Sequence, residues 1–273
     1  MPTRAVEPVV AILDEEWHAI SALAQELADV EWDLPSECPG WSVRDVLAHM
    51  IGTERWLLGE PEPDPLPDVP DFVRNDLGAS NEAWVAQCRP LPAGAVADEF
   101  RAVTARRLDE MRSWPEERFA AVGPSPVGPV PYREFMRVRA MDCWVHEQDM
   151  RVATGRPGHC TGPVAQLALG RLASGMPFVV GKQAAAPEGS CVRFELRGPV
   201  LGRLDVAVRG GRASIVTAGD DETGAVLELD DEVFWRLACG RVTGAAARDA
   251  GLVVVHGDAD LARRVLDAMA FMV

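Results

Sequence analysis

Apolar residues in the first half of the chain recur every three to four positions, the spacing of amphipathic helices. Val9, Ile12, Leu13, Trp17, Ile20, Leu23, Leu27 and Val30 predict a first helix over about 6–31. The turn PSECPGW follows, and Ser42 then stands as an N-cap with Asp45 three residues on, where a capping-box acid belongs, so a second helix is predicted from Ser42 to about Gly59. The segment EPEPDPLPDVPD is too rich in proline to be helical and reads as an extended surface connection. Helical spacing resumes over 71–88 and 95–114, and after the breaker VGPSPVGPVP it runs from Tyr132 to Thr154, with Gly155 as the stop. Five helices with mostly short connections predict an antiparallel bundle, and a sixth helical stretch covers about 163–180.

Past residue 180 the period changes from helical to alternating. CVRFELRG, LGRLDVAVRG, GRASIVT and AVLELD are separated by glycine-rich turns, as in an antiparallel sheet with one buried face. A short helix is expected over 231–240, one more strand in GLVVVHGD, and a closing helix from Ala259 to Met269. The expected class is therefore α+β, with a helical bundle over 1–180 and a smaller α+β domain over 181–273.

Composition agrees with two folded domains: 273 residues, 48% hydrophobic and 25% charged, exceed what one core usually serves. A net charge of −15, from 27 basic and 42 acidic residues, repels phosphate backbones and argues against nucleic acid as a partner. The opening MPTRAVEPVVAILDEEWHAI lacks the pattern of a signal peptide, and no later run reads as an uninterrupted apolar span, so a cytoplasmic protein with no membrane span is expected. Six cysteines without a CxxC pair suggest reduced thiols acting as small buried hydrophobes. A single lysine, Lys182, against 26 arginines, with abundant Ala, Gly and Pro, suggests a GC-rich bacterial genome.

The candidate chemistry lies on the helix from Tyr132 to Thr154. At 100° per residue Asp142, His146 and Asp149 share a stripe with Phe135, Val138, Val145 and Ala153, so two acids and a histidine face the core. Burying such groups is costly unless they are paired or bind a metal. An acid and an imidazole at i and i+4 can bite one ion, and His49, flanking the apolar stripe of the second helix, is the natural third ligand. Three protein ligands leave an open position, the catalytic pattern; Asp149 could orient a ligand imidazole or act as a base. The same spacing also fits a hydrogen-bonded core histidine beside a chance acid.

Three segments carry a family resemblance. CPGWSVRDVLAHM and DCWVHEQDMR resemble the N-terminal domain of the mycothiol-dependent maleylpyruvate isomerase family, part of the wider DinB-like bundle superfamily. FWRLACGRV followed by GLVVVHGDADLARRVLDAM resembles that family's second, sterol-carrier-protein-like (SCP2-like) domain. The resemblance implies an actinobacterial enzyme in which one divalent metal, usually zinc, is held by His49, Asp142 and His146, with Asp142 standing where the isomerase has Glu. It also implies an active-site arginine from the second domain, for which Arg241 is the best match, and mycothiol as the thiol cosubstrate. The expected activity is S-transfer to, or cis–trans isomerisation of, a small electrophilic substrate, by a monomer or homodimer. A metal-dependent hydrolase and a non-catalytic small-ligand binder are the rival readings. His18, His159 and His256 read as structural, and no nucleotide-binding glycine loop or serine-hydrolase elbow is present.

Overall fold

The computed structural model describes residues 6–219 and 224–272, and the chain divides into two compact units, 1–159 and 160–273. Helices α1 (Pro8–Glu26), α2 (Val43–Leu57), α3 (Asp76–Cys88), α4 (Ala93–Ser113), α5 (Glu116–Ala120) and α6 (Tyr132–Thr154) build the first unit. α1 and α2 each pack against both α4 and α6, which closes a four-helix ring, and α3 lies against α2. Leu13, Ile20, Leu47, Met50, Ile51, Phe100 and Trp144 fill its interior.

Local chemistry sets the helix ends. α1 stops at Glu26, short of the predicted 31, because the chain turns extended at Leu27 and forms a short 3₁₀ stretch, Asp29–Asp33. That register buries Trp32 and leaves Val30 78% exposed, so Val30 is not part of the apolar stripe. Glu31 fixes the turn by accepting from the Ala28 amide at 2.8 Å and from Arg156 at 2.6 Å. The capping box at α2 forms as expected: Ser42 Oγ accepts from the Asp45 amide and Asp45 Oδ2 accepts from the Ser42 amide. α3 begins at Asp76 rather than 71, where Asn75 Oδ1 caps the Gly78 amide at 2.8 Å. The breaker after α5 forms a two-residue ladder, β1 (Val122–Gly123) with β2 (Val130–Pro131). α6 spans the predicted residues and ends on Gly155 in the left-handed region, at φ 65°.

The second unit starts ahead of the change of hydrophobic period. Its first helix, α7 (Gly162–Ser174), packs against α9 (Asp231–Ala238) and runs on through α8 (Met176–Phe178) into a π-helical turn, Val179–Gln183. By length and composition alone the run 162–183 is apolar enough to cross a membrane, its most apolar 18 residues having a mean hydropathy of 1.2, and half of those 18 residues are buried in the protein. Periodicity places this run with the bundle, whereas packing places it with the sheet.

β3 (Cys191–Arg197), β4 (Arg203–Arg209), β5 (Arg212–Val216), β6 (Ala225–Asp230) and β7 (Val253–Gly257) form one sheet in the order β5-β4-β3-β6-β7. The sheet is mixed rather than wholly antiparallel, because β3 and β6 run parallel. The stagger of the strands makes this possible. Val216 ends β5 level with Asp205, which pairs with Arg193, and β6 begins opposite the adjacent Val192, so a short link replaces the usual long crossover. Arg193, itself buried, donates to Asp205 at 2.7 Å and to the carbonyls of Ala218 and Gly219, pinning the start of that link. α9 and α11 (Ala259–Asp267) cover β6, and α10 (Gly244–Asp249), capped by Thr243, is a helix too short to show a period.

Candidate metal centre

The Pro-Gly-Trp turn before α2 builds one wall of the site. Gly40 has φ 76°, and a Cβ there would lie 2.2 Å from the ring of Phe72, so both backbone angle and space require glycine. The turn sets Trp41 over two imidazoles, with ring centroids 5.1 Å from His49 and 6.3 Å from His146. Trp41 is fixed by its indole N–H, which donates to the buried Glu82 at 2.8 Å, and Glu82 in turn pairs with Arg89 at 2.6 Å.

His49 on α2 and Asp142 and His146 on α6 converge beneath that indole, each offering one ligand atom within 4.8 Å of the others. Asp142 bridges the two rings: Oδ2 lies 3.7 Å from His49 Nε2, and Oδ1 lies 3.6 Å from His146 Nε2. Both histidines are buried, while the Asp142 side chain keeps 38% of its surface exposed, so the cluster has one open side. Asp149 is wholly buried behind His146, with Oδ2 3.1 Å from its Nδ1. A carboxylate accepting there leaves Nδ1 with the proton and the Nε2 lone pair turned toward Asp142. Cys38 donates its thiol to the same Asp149 oxygen at 3.1 Å.

The charges suit metal binding. Burial pushes the His49 imidazole down to about 4, against the opposing pull of Asp142, so the ring is neutral at neutral pH with a lone pair to give. Burial disfavours ionised Asp142, but His146, the contact with His49 and Arg139 outweigh it and hold the carboxyl far below its ordinary range. Arg139 is buried on α6, pairs with Asp142, donates to Glu54 Oε1 at 2.7 Å and reaches the Met50 carbonyl at 3.2 Å. Glu54 receives Arg107 at 3.0 Å on its other oxygen, and Arg107 also donates to the Tyr132 hydroxyl at 2.7 Å. A wholly buried ion network therefore underlies the site and links α2, α4 and α6.

A family model described as the mycothiol maleylpyruvate isomerase N-terminal domain matches residues 13–151, which contain all these groups. The chain belongs to this family. Two proteins of Mycobacterium tuberculosis are similar to it. The uncharacterized protein Rv0036c is 27% identical over 201 residues, 70% of this chain and 74% of its own. The uncharacterized protein Rv0738 is 29% identical over 176 residues, 62% of this chain and 79% of its own. Among solved structures, the mycothiol-dependent maleylpyruvate isomerase shares 19% identity at a TM-score of 0.58, covering 88% of this chain and 90% of that one. A histidine-to-alanine mutant of that enzyme gives 18% identity and a TM-score of 0.56 over 92% of this chain and 93% of its own. The likeness in fold thus spans both units.

The structure brings together four of the residues singled out in the sequence: His49, Asp142, His146 and Asp149. Arg241 lies in the second unit just after α9, with its amide bonded to the Arg236 carbonyl at 2.7 Å and Nη1 to the Cys239 carbonyl at 2.9 Å. The cysteines correct the expectation of uniform burial as small hydrophobes. Cys160 is exposed and Cys38 is a polar partner in the site, although none of the six is in a disulfide. Cys38, Trp41, Arg139 and Glu54 are the site's unanticipated supports. The adjacency of Cys38 to Pro-Gly-Trp was the available signal for the first two, whereas Arg139 and Glu54 meet only across helices.

Proposed function

We propose that the first unit holds one divalent metal ion, zinc by preference, through His49 Nε2, Asp142 and His146 Nε2, and that the protein is a thiol-dependent enzyme of the mycothiol type. The observation that carries this reading is the spacing of the three donors. Two ligands at about 2.0–2.1 Å from a tetrahedral ion stand about 3.3 Å apart. The Asp142 carboxylate comes close to that edge with each of its oxygens, 3.7 Å from Oδ2 to His49 Nε2 and 3.6 Å from Oδ1 to His146 Nε2, slightly beyond hydrogen-bond length, and all three residues offer a ligand atom within 4.8 Å of one another. Two neutral imidazoles and one carboxylate suit a first-row ion. The aspartate that stands where the isomerase family carries glutamate reaches both rings from α6, so the shorter side chain still closes the triad.

Bound there, the ion would supply the positive charge that keeps a low-molecular-weight thiol as thiolate at neutral pH. The chain's own residues do the rest. Asp149 fixes the tautomer and plane of His146; its complete burial makes it a positioning residue rather than a base exposed to substrate. Trp41 packs over both rings and limits their rotation. Arg139 and the Glu54 pair hold the Asp142 carboxylate ionised and aimed. Thiolate sulfur then adds to an electrophilic carbon of the substrate. Addition turns the substrate's C=C into a single bond and leaves the electron pair delocalised on the neighbouring carbon and its acceptor group: if a proton is added there, a thioether is the product; if the former double bond rotates, the C–S bond breaks, the double bond reforms and the thiolate leaves, giving a cis–trans isomer of the maleylpyruvate kind. We assign Arg241 the role of gripping a substrate carboxylate through paired hydrogen bonds.

Turnover of carboxylate-bearing electrophiles by the zinc-loaded protein, with and without mycothiol, tests the reading. Consumption only when thiol is present is the expected result, with Arg241→Ala raising KM more than it lowers kcat. Equal turnover without thiol would replace this reading with a hydrolase that activates water.

A further inference from the structure

A second cluster of donors lies on a different face of α6 from the first. Glu16 on α1, Glu147 on α6 and His159 in the turn after α6 each present one ligand atom within 4.8 Å of the others. Glu147 gives Oε1 to Arg151, whose Nε and Nη2 both lie 2.7 Å away, and turns Oε2 toward His159 Nδ1 at 2.6 Å. Glu16 Oε2 is 3.5 Å from the same nitrogen. Glu16 is the anomaly: it is 0% exposed, neither of its carboxylate oxygens has a hydrogen-bond partner, and burial together with the neighbouring Glu147 carboxylate holds its carboxyl well above the usual carboxylate range. A buried carboxyl in that condition either holds a proton or is bound by a cation.

The backbone is shaped to bring the histidine there. His159 has φ 53°, a left-handed angle uncommon for a residue with a side chain. It is held in that conformation by Trp144, whose indole N–H donates to the His159 carbonyl at 2.8 Å, while Gln148 donates to the carbonyl of Gly158 at 3.3 Å. Both anchoring side chains come from α6, beside Glu147. The imidazole ring keeps 14% of its surface, which gives the buried acids a path to solvent, and its Nε2 faces Glu15 Oε1 at 3.8 Å. That outer carboxylate would orient the ring as metal-bound histidines are commonly oriented.

We propose that Glu16, Glu147 and His159 Nδ1 form a second cation site, independent of the first, that takes a first-row divalent ion and ties α1 to α6. Two carboxylates with one imidazole favour manganese, iron or zinc over magnesium and calcium, which prefer oxygen alone. The ion would satisfy the unpaired Glu16 carboxylate directly. Binding opens the short Glu147–His159 contact and releases to solvent the proton held on Nδ1 there and any proton held on Glu16, while Arg151 already neutralises the other Glu147 oxygen.

Equilibrium dialysis against manganese and zinc, with metal counted per chain, tests this on four proteins: wild type, Glu16→Gln, His159→Asn and His49→Ala. Asparagine tolerates the left-handed angle at 159, so that variant removes the imidazole while sparing the turn. The expected result is two equivalents for wild type, one for Glu16→Gln and one for His49→Ala, with affinity at the remaining site of His49→Ala matching one wild-type class. His159→Asn is expected to weaken one class by at least about tenfold. If Glu16→Gln and His159→Asn bind as much metal as wild type, at unchanged affinity, the second site is wrong and Glu16 shares a proton with Glu147 instead. Loss of metal in His49→Ala alone concerns only the first site.

Discussion

Replacing Glu54 by alanine is expected to destabilise the first unit by about 3–5 kcal/mol, the largest effect of any single substitution beneath the site. The magnitude follows from what is left behind. Glu54 is wholly buried between two arginines, taking Arg139 on one oxygen at 2.7 Å and Arg107 on the other at 3.0 Å, and both arginines are themselves buried. Removing the carboxylate strands two cations in the bundle interior, and neither can shed its proton, since guanidinium stays charged. Arg107 keeps Tyr132 and Arg139 keeps Asp142, neither of which replaces the lost pair. Urea denaturation should show the midpoint moving far down with the slope preserved. Arg139, freed from Glu54, also competes more strongly for Asp142, so metal affinity should fall with stability. A change below about 1 kcal/mol would mean that water or a rearranged partner reaches the arginines, and that the network does not support the site.

Second, the His49→Ala/His146→Ala double variant should lose the equivalent of metal held at the first site and with it thiol-dependent turnover, by at least about a hundredfold. The bundle should survive, because neither ring anchors the hydrophobic interior and the Glu54 network is untouched. Asp149→Asn separates holding from aiming. Asparagine can present its NH₂ to Nδ1 and so favour the wrong tautomer, and metal affinity should drop about 10–100-fold while the three ligands remain. Metal content and steady-state rates on the three proteins measure this. Full activity in the double variant would remove the site from the chemistry altogether.

How legible the molecule was in its sequence differs between its parts. α6 could be drawn residue for residue, since a proline-rich breaker, 23 residues of helical spacing and Gly155 leave little choice. From that helix the Asp142, His146 and Asp149 stripe follows by angle alone, and the capped start of α2 sets His49 on a neighbouring helix. What spacing cannot supply is contact across helices. The Glu54–Arg139–Arg107 network joins residues 53 and 85 positions apart in the chain, and nothing in a helical wheel distinguishes a buried arginine from a solvated one. His159 was hidden for another reason: a left-handed histidine in a Pro-Gly turn reads as loop until Trp144 and Glu147 are seen to hold it. In the second unit the strands were evident from alternation, but the parallel pairing of β3 with β6 depends on a stagger that no single strand records.

X-ray absorption at the zinc edge, on the Glu16→Gln protein loaded with one equivalent of zinc so that only the first site contributes, before and after adding mycothiol, bears most directly on the central claim. Before thiol, a shell of nitrogen and oxygen near 2.0–2.1 Å is predicted, with imidazole scattering from two histidines; after thiol, one sulfur near 2.3 Å should join it. A spectrum that mycothiol leaves unchanged would contradict a thiolate nucleophile at this centre.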